Sequence, residues 1–251
     1  MDTMRVEREG KVAIAVLDNG VINAIGPDLV AELSETLQDL RGDDSVGAVI
    51  LTSANDKFFS IGLEIPALLQ LSKPDFRNFY KAFNRLCIDL FRFPKPTYAA
   101  ISGHATAGGC VLALCCDHRI IAEGRKLMGL NEIKLGVPLP YPIACILREI
   151  AGAVQATAIA ESGELFPPDA LLKMSLVDRV LPLEEVRSQA IAAAEKLACE
   201  STPAFRAIKQ SRIEVVLERI SSRLNEKEEI FVNAWCSEET QVRLSKAAEK
   251  F

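Results

Sequence analysis

From Gly108 to Cys116 the chain reads GGCVLALCC, with no charged residue in the run. A helix that is apolar on every side has no face to give to water, so this segment reads as fully buried. Two apolar runs flank it, Thr97 to Ile101 and His118 to Ala122, and both read as strands. Enclosing such a helix takes a sizeable core. With 251 residues, 49% of them apolar and 25% charged, the chain has material for one large domain, or one domain with a small appendage. That composition excludes disorder, collagen-like repeats and a disulfide mini-fold.

The rest of the pattern alternates in the same way. Val12 to Leu17 is a strand closing on the turn Asp18-Asn19-Gly20. Gly26-Pro27-Asp28 opens a helix whose apolar positions Leu29, Val30, Leu33, Leu37 and Leu40 fall at helical spacing. Val46 to Leu51 is the next buried strand. Ser72-Lys73-Pro74-Asp75 starts a long amphipathic helix carrying Phe76, Phe79, Phe83 and Leu90, which Pro94 and Pro96 end. Beyond Tyr141 the pattern is mostly helical: Gly163 is a C-cap, Pro167-Pro168 restart a helix, and Leu176 to Leu181 contain a short strand. Pro203 starts another helix, Ile213 to Trp235 form a long one, and Ser237 caps the last. Strands alternating with helices before a helical tail give an α/β class, divided into a core of residues 1–195 and a helical segment of residues 196–251.

Composition narrows the partners. Against 34 acidic residues stand 29 Lys and Arg, a net charge of −5, so neither nucleic acid nor an anionic membrane is the expected partner. No uncharged apolar run reaches 18 residues, and the first residues, MDTMRVEREGK, lack a secretory apolar stretch. Seven cysteines, an odd number without paired metal spacing, read as free thiols in a reducing compartment. The expectation is a cytoplasmic protein without a metal.

Three segments break ordinary patterning. Phe58-Phe59-Ser60-Ile61-Gly62-Leu63-Glu64 follows a strand, and its glycine lets the backbone turn and present an amide; a plain strand-to-helix turn explains it as well. Gly103-His104-Ala105-Thr106-Ala107-Gly108-Gly109-Cys110 leaves backbone amides uncovered at a helix start, where an oxyanion is well held. Close packing of helix on strand accounts for those glycines equally. Glu132 stands among Leu130, Ile133, Leu135 and Val137, surroundings that would raise a carboxyl pKa toward that of a useful base. A surface Glu beside Lys134 is the simpler account of that stretch.

Together the segments resemble the crotonase (enoyl-CoA hydratase/isomerase) superfamily. The matching stretches are FFSIGLE, ISGHATAGGCVLALCCDHRIIAE and GLNEIKLGV, with weaker likeness at NAIGPDLVAEL and ELFPPDALLKMSLVDRVLP. The resemblance implies a spiral of ββα turns with a helical C-terminal trimerisation segment, assembled as homotrimers or dimers of trimers. It also implies an acyl-CoA thioester substrate, with no cofactor beyond the coenzyme A of the substrate itself. The family's two oxyanion-hole amides fall on Leu63 and Gly108, and its acyl-CoA contacts on Ser60, Ile61, Gly62, Leu63, Glu64 and Gly108. Hydratases of the family hold a water between two glutamates. The first of these positions is Val111 here, which can neither accept a proton nor orient a water, and the second is Glu132.

One glutamate without a partner is the pattern of the mitochondrial-type Δ3,Δ2-enoyl-CoA isomerases of the family, which share the GLNE-x-x-LG stretch. The resemblance therefore implies a 1,3-proton shift by Glu132 within fatty-acid β-oxidation. The alternatives are another acyl-CoA reaction of the superfamily (weak hydration, decarboxylation or C–C hydrolysis) and a non-catalytic acyl-CoA-binding subunit. Among the remaining residues, Glu64 reads as a helix N-terminal acid and His104 as a structural hydrogen-bond donor. His118 reads as a surface or ion-pair group, the Phe76/Phe79/Phe83 stripe as core ahead of acyl-pocket wall, and Trp235 as a subunit-interface residue ahead of a cover over a neighbour's CoA.

Overall fold

The computed structural model describes residues 3–199 and 202–249. Its order is that of a spiral. β1 (Met4–Glu9) and β2 (Val12–Leu17) pair antiparallel, and α1 (Pro27–Gly42) follows. The next turn lays β3 (Ala48–Ser53) parallel to β2, sends β4 (Phe58–Ser60) into a second, smaller sheet, and continues through α2 (Ile65–Leu68) and α3 (Lys73–Phe91). β5 (Thr97–Ile101), β6 (His104–Thr106) and α4 (Gly108–Cys115) repeat the step. So do β7 (His118–Ala122), β8 (Met128–Gly129) and α5 (Glu132–Leu135).

Two helices, α6 (Tyr141–Ala151) and α7 (Ala153–Ser162), then lead to β9 (Leu165–Phe166), α8 (Pro168–Lys173) and β10 (Arg179–Leu181). The large sheet has the order β1-β2-β3-β5-β7-β10 and the small one β4-β6-β8-β9. Helices α9 (Leu183–Cys199), α10 (Thr202–Trp235) and α11 (Glu238–Ala248) complete the described chain.

The all-apolar reading of β2 has a physical cause in this layering. Alternate strand residues point to opposite faces, and both faces are covered. Val12, Ile14 and Val16 pack with Ala48, Ile50 and Ala100 against Val186, Ala190 and Ala194 of α9. Ala13, Ala15 and Leu17 join the larger core with α1, α3 and the enclosed α4. Every residue of α4 is buried, as its composition requires.

Several elements differ from the sequence reading. β1 is an edge strand whose side chains are mostly charged and exposed, so it carries no apolar pattern to read; charge also suits an edge that must not pair further. β3 starts at Ala48, because Val46 N–H is turned back onto the carbonyl of Asp43. The strands of the small sheet are two or three residues long, too short to show a period. α10 is one continuous helix of 34 residues, not two. Lys209 and Arg212 pin its first half by pairing with the buried carboxylate of Asp117 at 2.7 and 2.5 Å, which also accepts from Thr97 N–H and Oγ1. Residue 195, the sequence division between core and tail, lies inside α9. His118 makes no ion pair among the described residues: half-buried, its ring stacks on Tyr98 with centroids 4.6 Å apart.

Candidate active site

The spiral brings the loops after β4, β6 and β8 to one cavity of about 130 Å³, lined by Leu63, Gly108, Asn131 and Glu132. The first two supply backbone amides. Ile25 N–H donates to Gly62 O, and Glu64 N–H donates to Ile25 O, at 2.8 and 3.0 Å. These bonds use the carbonyl before Leu63 and the N–H after it, and the N–H of Leu63 itself finds no acceptor among the described residues. Gly108 is the first residue of α4, so its N–H has no intrahelical partner, and it too is open.

Steric detail keeps the two amides together. Gly62 has φ +104°, and a Cβ there would meet Ala107 Cβ and Gly108 N at 2.9 Å. A Cβ on Gly109 would stand 2.3 Å from Ser60 O, so the helix start can approach β4 this closely only with glycine. The preceding Ala107 has φ +46° and ψ −119°, a conformation that costs an alanine about 1–3 kcal/mol. It is held there by its N–H bond to Gly129 O at 2.9 Å and by Val111 N–H donating to its carbonyl. The strain sets the entry angle of α4, and with it the direction of the Gly108 amide.

Glu132 opens α5 and is 5% exposed. Its Oε2 is buried and without a hydrogen-bond partner. Burial pushes its carboxyl up to about 7, its own backbone amide opposing only in part. Lys134 is no partner to it, because its ammonium pairs with Glu164 at 2.7 Å; the surface-glutamate account fails on that observation. Val111 is fully buried in α4, so no acid stands at that position.

The other residues singled out in the sequence separate into two groups. Ile61 and Leu63 line the cavity. Ser60 does not: its hydroxyl is wholly buried, donates to Asn23 O at 2.7 Å and accepts from Gly62 N–H, bracing the turn from within. Gly62 acts through its backbone conformation. Glu64 is the N-cap residue of α2, and its carboxylate lies against Gly26. His104 is away from the cavity, and its Nδ1 accepts from Leu127 N–H at 3.0 Å, a structural acceptor where a donor was expected. Burial lowers its pKa, in keeping with a neutral ring.

The helical tail contributes walls that the sequence reading did not foresee. Trp235 is buried within its own chain, stacked 4.4 Å from Phe76, and lines the cavity instead of an intersubunit surface. Phe231 lines it too, stacked 3.9 Å from Tyr80. Phe76 and Phe79 are core, whereas Phe83 is core and cavity wall at once. The spacing of Phe231 and Trp235, one helical turn apart, was the available signal. Asn131 and Ala107 had no signal beyond standing next to residues already noted.

A ββα spiral carrying two open amides and a buried acid to one apolar cavity is the crotonase architecture. The chain belongs to the enoyl-CoA hydratase/isomerase family, whose sequence profile matches residues 7–250. It is 35% identical over 188 residues to mitochondrial enoyl-CoA delta isomerase 1 of Rattus norvegicus, covering 74% of this chain and 65% of that protein. It is 28% identical to a short-chain-enoyl-CoA hydratase of Clostridium acetobutylicum, covering 84% and 81%. The crystal structure of human mitochondrial delta3-delta2-enoyl-CoA isomerase superposes with a TM-score of 0.94 at 29% identity, covering 99% of this chain and 97% of that one. The sequence match thus spans just under two thirds of the rat protein's length.

Proposed function

We propose that this chain is a Δ3,Δ2-enoyl-CoA isomerase. The observation that carries the reading is a lone buried carboxyl, raised to about 7, sharing one cavity with two unpaired amides while Val111 fills the place of a second acid. The thioester carbonyl of a 3-enoyl-CoA lies against the N–H groups of Leu63 and Gly108. Glu132 takes a proton from C2; the electron pair of that bond delocalises through a dienolate onto the thioester oxygen, which the two amides hold. The same acid returns the proton to C4, and the product is the trans-2-enoyl-CoA. One oxyanion donor is worth about 3–4 kcal/mol of transition-state stabilisation, and a general base about 10²–10⁴-fold. A base titrating at about 7 is matched to neutral pH.

The apolar walls support this chemistry by excluding water from the dienolate. Assembly as a homotrimer or dimer of trimers belongs to the same proposal and is supported by Ile208 and Val215, which α10 leaves 69% and 67% exposed. Among the described residues no helix is long and apolar enough to cross a membrane. The seven cysteines are free thiols, which supports a reducing compartment, the cytoplasm in our reading. The test is turnover of a short panel of 3-enoyl-CoAs, followed at the appearance of the conjugated 2-enoyl thioester. Glu132→Gln is expected to bind acyl-CoA and lose turnover by at least about 100-fold; near wild-type turnover excludes Glu132 as the base. Wild-type hydration of crotonyl-CoA is expected to be very slow, and brisk hydration would make the chain a hydratase instead.

A further inference from the structure

Asn131 and Glu132 are consecutive, at the N-cap and first position of α5, and both line the cavity. Apart from the indole of Trp235, theirs are the polar side chains along its described walls. Each buries one oxygen with no donor, Oδ1 of Asn131 and Oε2 of Glu132. A buried acceptor left unpaired costs about 1–3 kcal/mol, so two on neighbouring residues call for a cause. The ordinary reason for an Asn at an N-cap is a side-chain bond to the first turn, and this Asn makes none. Its carboxamide is free for another task.

A carboxamide differs from the carboxylate beside it in one respect: its other end carries two N–H donors. A half-turn about χ2 puts those donors where Oδ1 now lies and removes the unpaired acceptor there. We infer that Asn131 is a positioning residue for the base, its amide N–H holding the far oxygen of Glu132 so that the other oxygen faces the acyl chain. The inference rests on the reading of Glu132 as the base.

The reaction gives such a bond a purpose. A single oxygen must serve two carbons: the C2–H bond breaks as an O–H bond forms, and later that O–H bond breaks as the C4–H bond forms. The carboxyl must keep one face to the chain throughout. Asn131 exchanges none of its own protons. Among the described residues the nearby cations are engaged elsewhere: Lys134 is paired with Glu164, and Arg243, packed on Gly136 from α11, is paired with Glu239. Tyr80 of α3 and Cys110 of α4 lie in the field of Glu132, and burial raises both, so they remain neutral.

The experiment reads the carboxyl directly. Infrared difference titration of the full chain, with Glu132→Gln identifying the band, gives the midpoint of Glu132 in wild type and in Asn131→Ala. A hydrogen bond to a charged group favours ionisation by about one to two pKa units, so its loss is expected to raise the midpoint by that amount. At pH values below the wild-type midpoint kcat then falls about tenfold to a hundredfold, and it recovers above the variant's midpoint, with KM unchanged. An unchanged or lowered midpoint overturns the inference, as does a loss of kcat equally deep at every pH. Should the alanine variant not fold, the isosteric Asn131→Asp removes the donor and adds a charge. Its Glu132 midpoint must then rise further, and a fixed one refutes the bond. Because the titration needs no turnover, an inactive wild type counts against the isomerase reading and not against this contact.

Discussion

Burial of Glu132 has a consequence for stability that can be separated from catalysis. Its carboxyl ionises near 4.5 when free in the unfolded chain and at about 7 in the fold, where burial penalises the charge. The folded state therefore binds the proton more tightly, and stability is full below the unfolded value and lost as pH rises through the folded one. The whole displacement corresponds to about 3 kcal/mol, most of which falls between pH 5 and pH 8.5. Glu132→Gln has nothing to titrate. Any offset from its amide is the same at both pH values, so its stability relative to wild type is expected to improve by about 2–3 kcal/mol between them. In thermal unfolding that is about 5–10 °C for a chain of this size. The assay is the unfolding temperature of both proteins at pH 5 and pH 8.5, with urea midpoints as a second measure. If the gap between variant and wild type is the same at both pH values, Glu132 is not held out of water as argued, and the case for it as a tuned base goes with it.

Two further perturbations probe the frame. Gly109→Ala sets a Cβ 2.3 Å from Ser60 O, a backbone atom that cannot give way cheaply; about 1–3 kcal/mol of stability is expected to go, with kcat falling because the Gly108 amide shifts with the helix, and unchanged kcat would show that the amide is not used. Lys209→Met leaves the buried Asp117 carboxylate with only the exposed Arg212 as cation. Breaking a buried pair on one side costs about 3–5 kcal/mol, read from urea unfolding, and Asp117→Asn combined with it is expected to recover part of the loss.

How much was legible follows from what leaves a mark in a one-dimensional pattern. The enclosed helix α4, the strands β2, β5 and β7, and the long helices α1 and α3 all carry apolar periods many residues long. The small sheet does not, since its strands of two or three residues are held by neighbours contributed from three different turns of the spiral. β1 escaped because an edge strand is written in charge. Of the site, Glu132 was visible as an acid in apolar company and the amides of Leu63 and Gly108 through the glycine motifs. The orientation of Ser60 was not legible, because a serine in a loop looks the same whether its hydroxyl faces a substrate or, as here, a buried carbonyl.

The sequence by itself determined that Gly62, Gly108 and Gly109 carry no side chain, that α4 can sit only in the interior, and that position 111 has no acid. Those are properties of residue type. Only the tertiary structure decided that the amides of Leu63 and Gly108 remain unbonded, that Lys134 turns to Glu164 and leaves Glu132 in a dry environment, and that Trp235 folds back on its own cavity. Hydrogen-bond partnership and desolvation depend on which distant segments arrive at the same place, and local sequence does not contain that information.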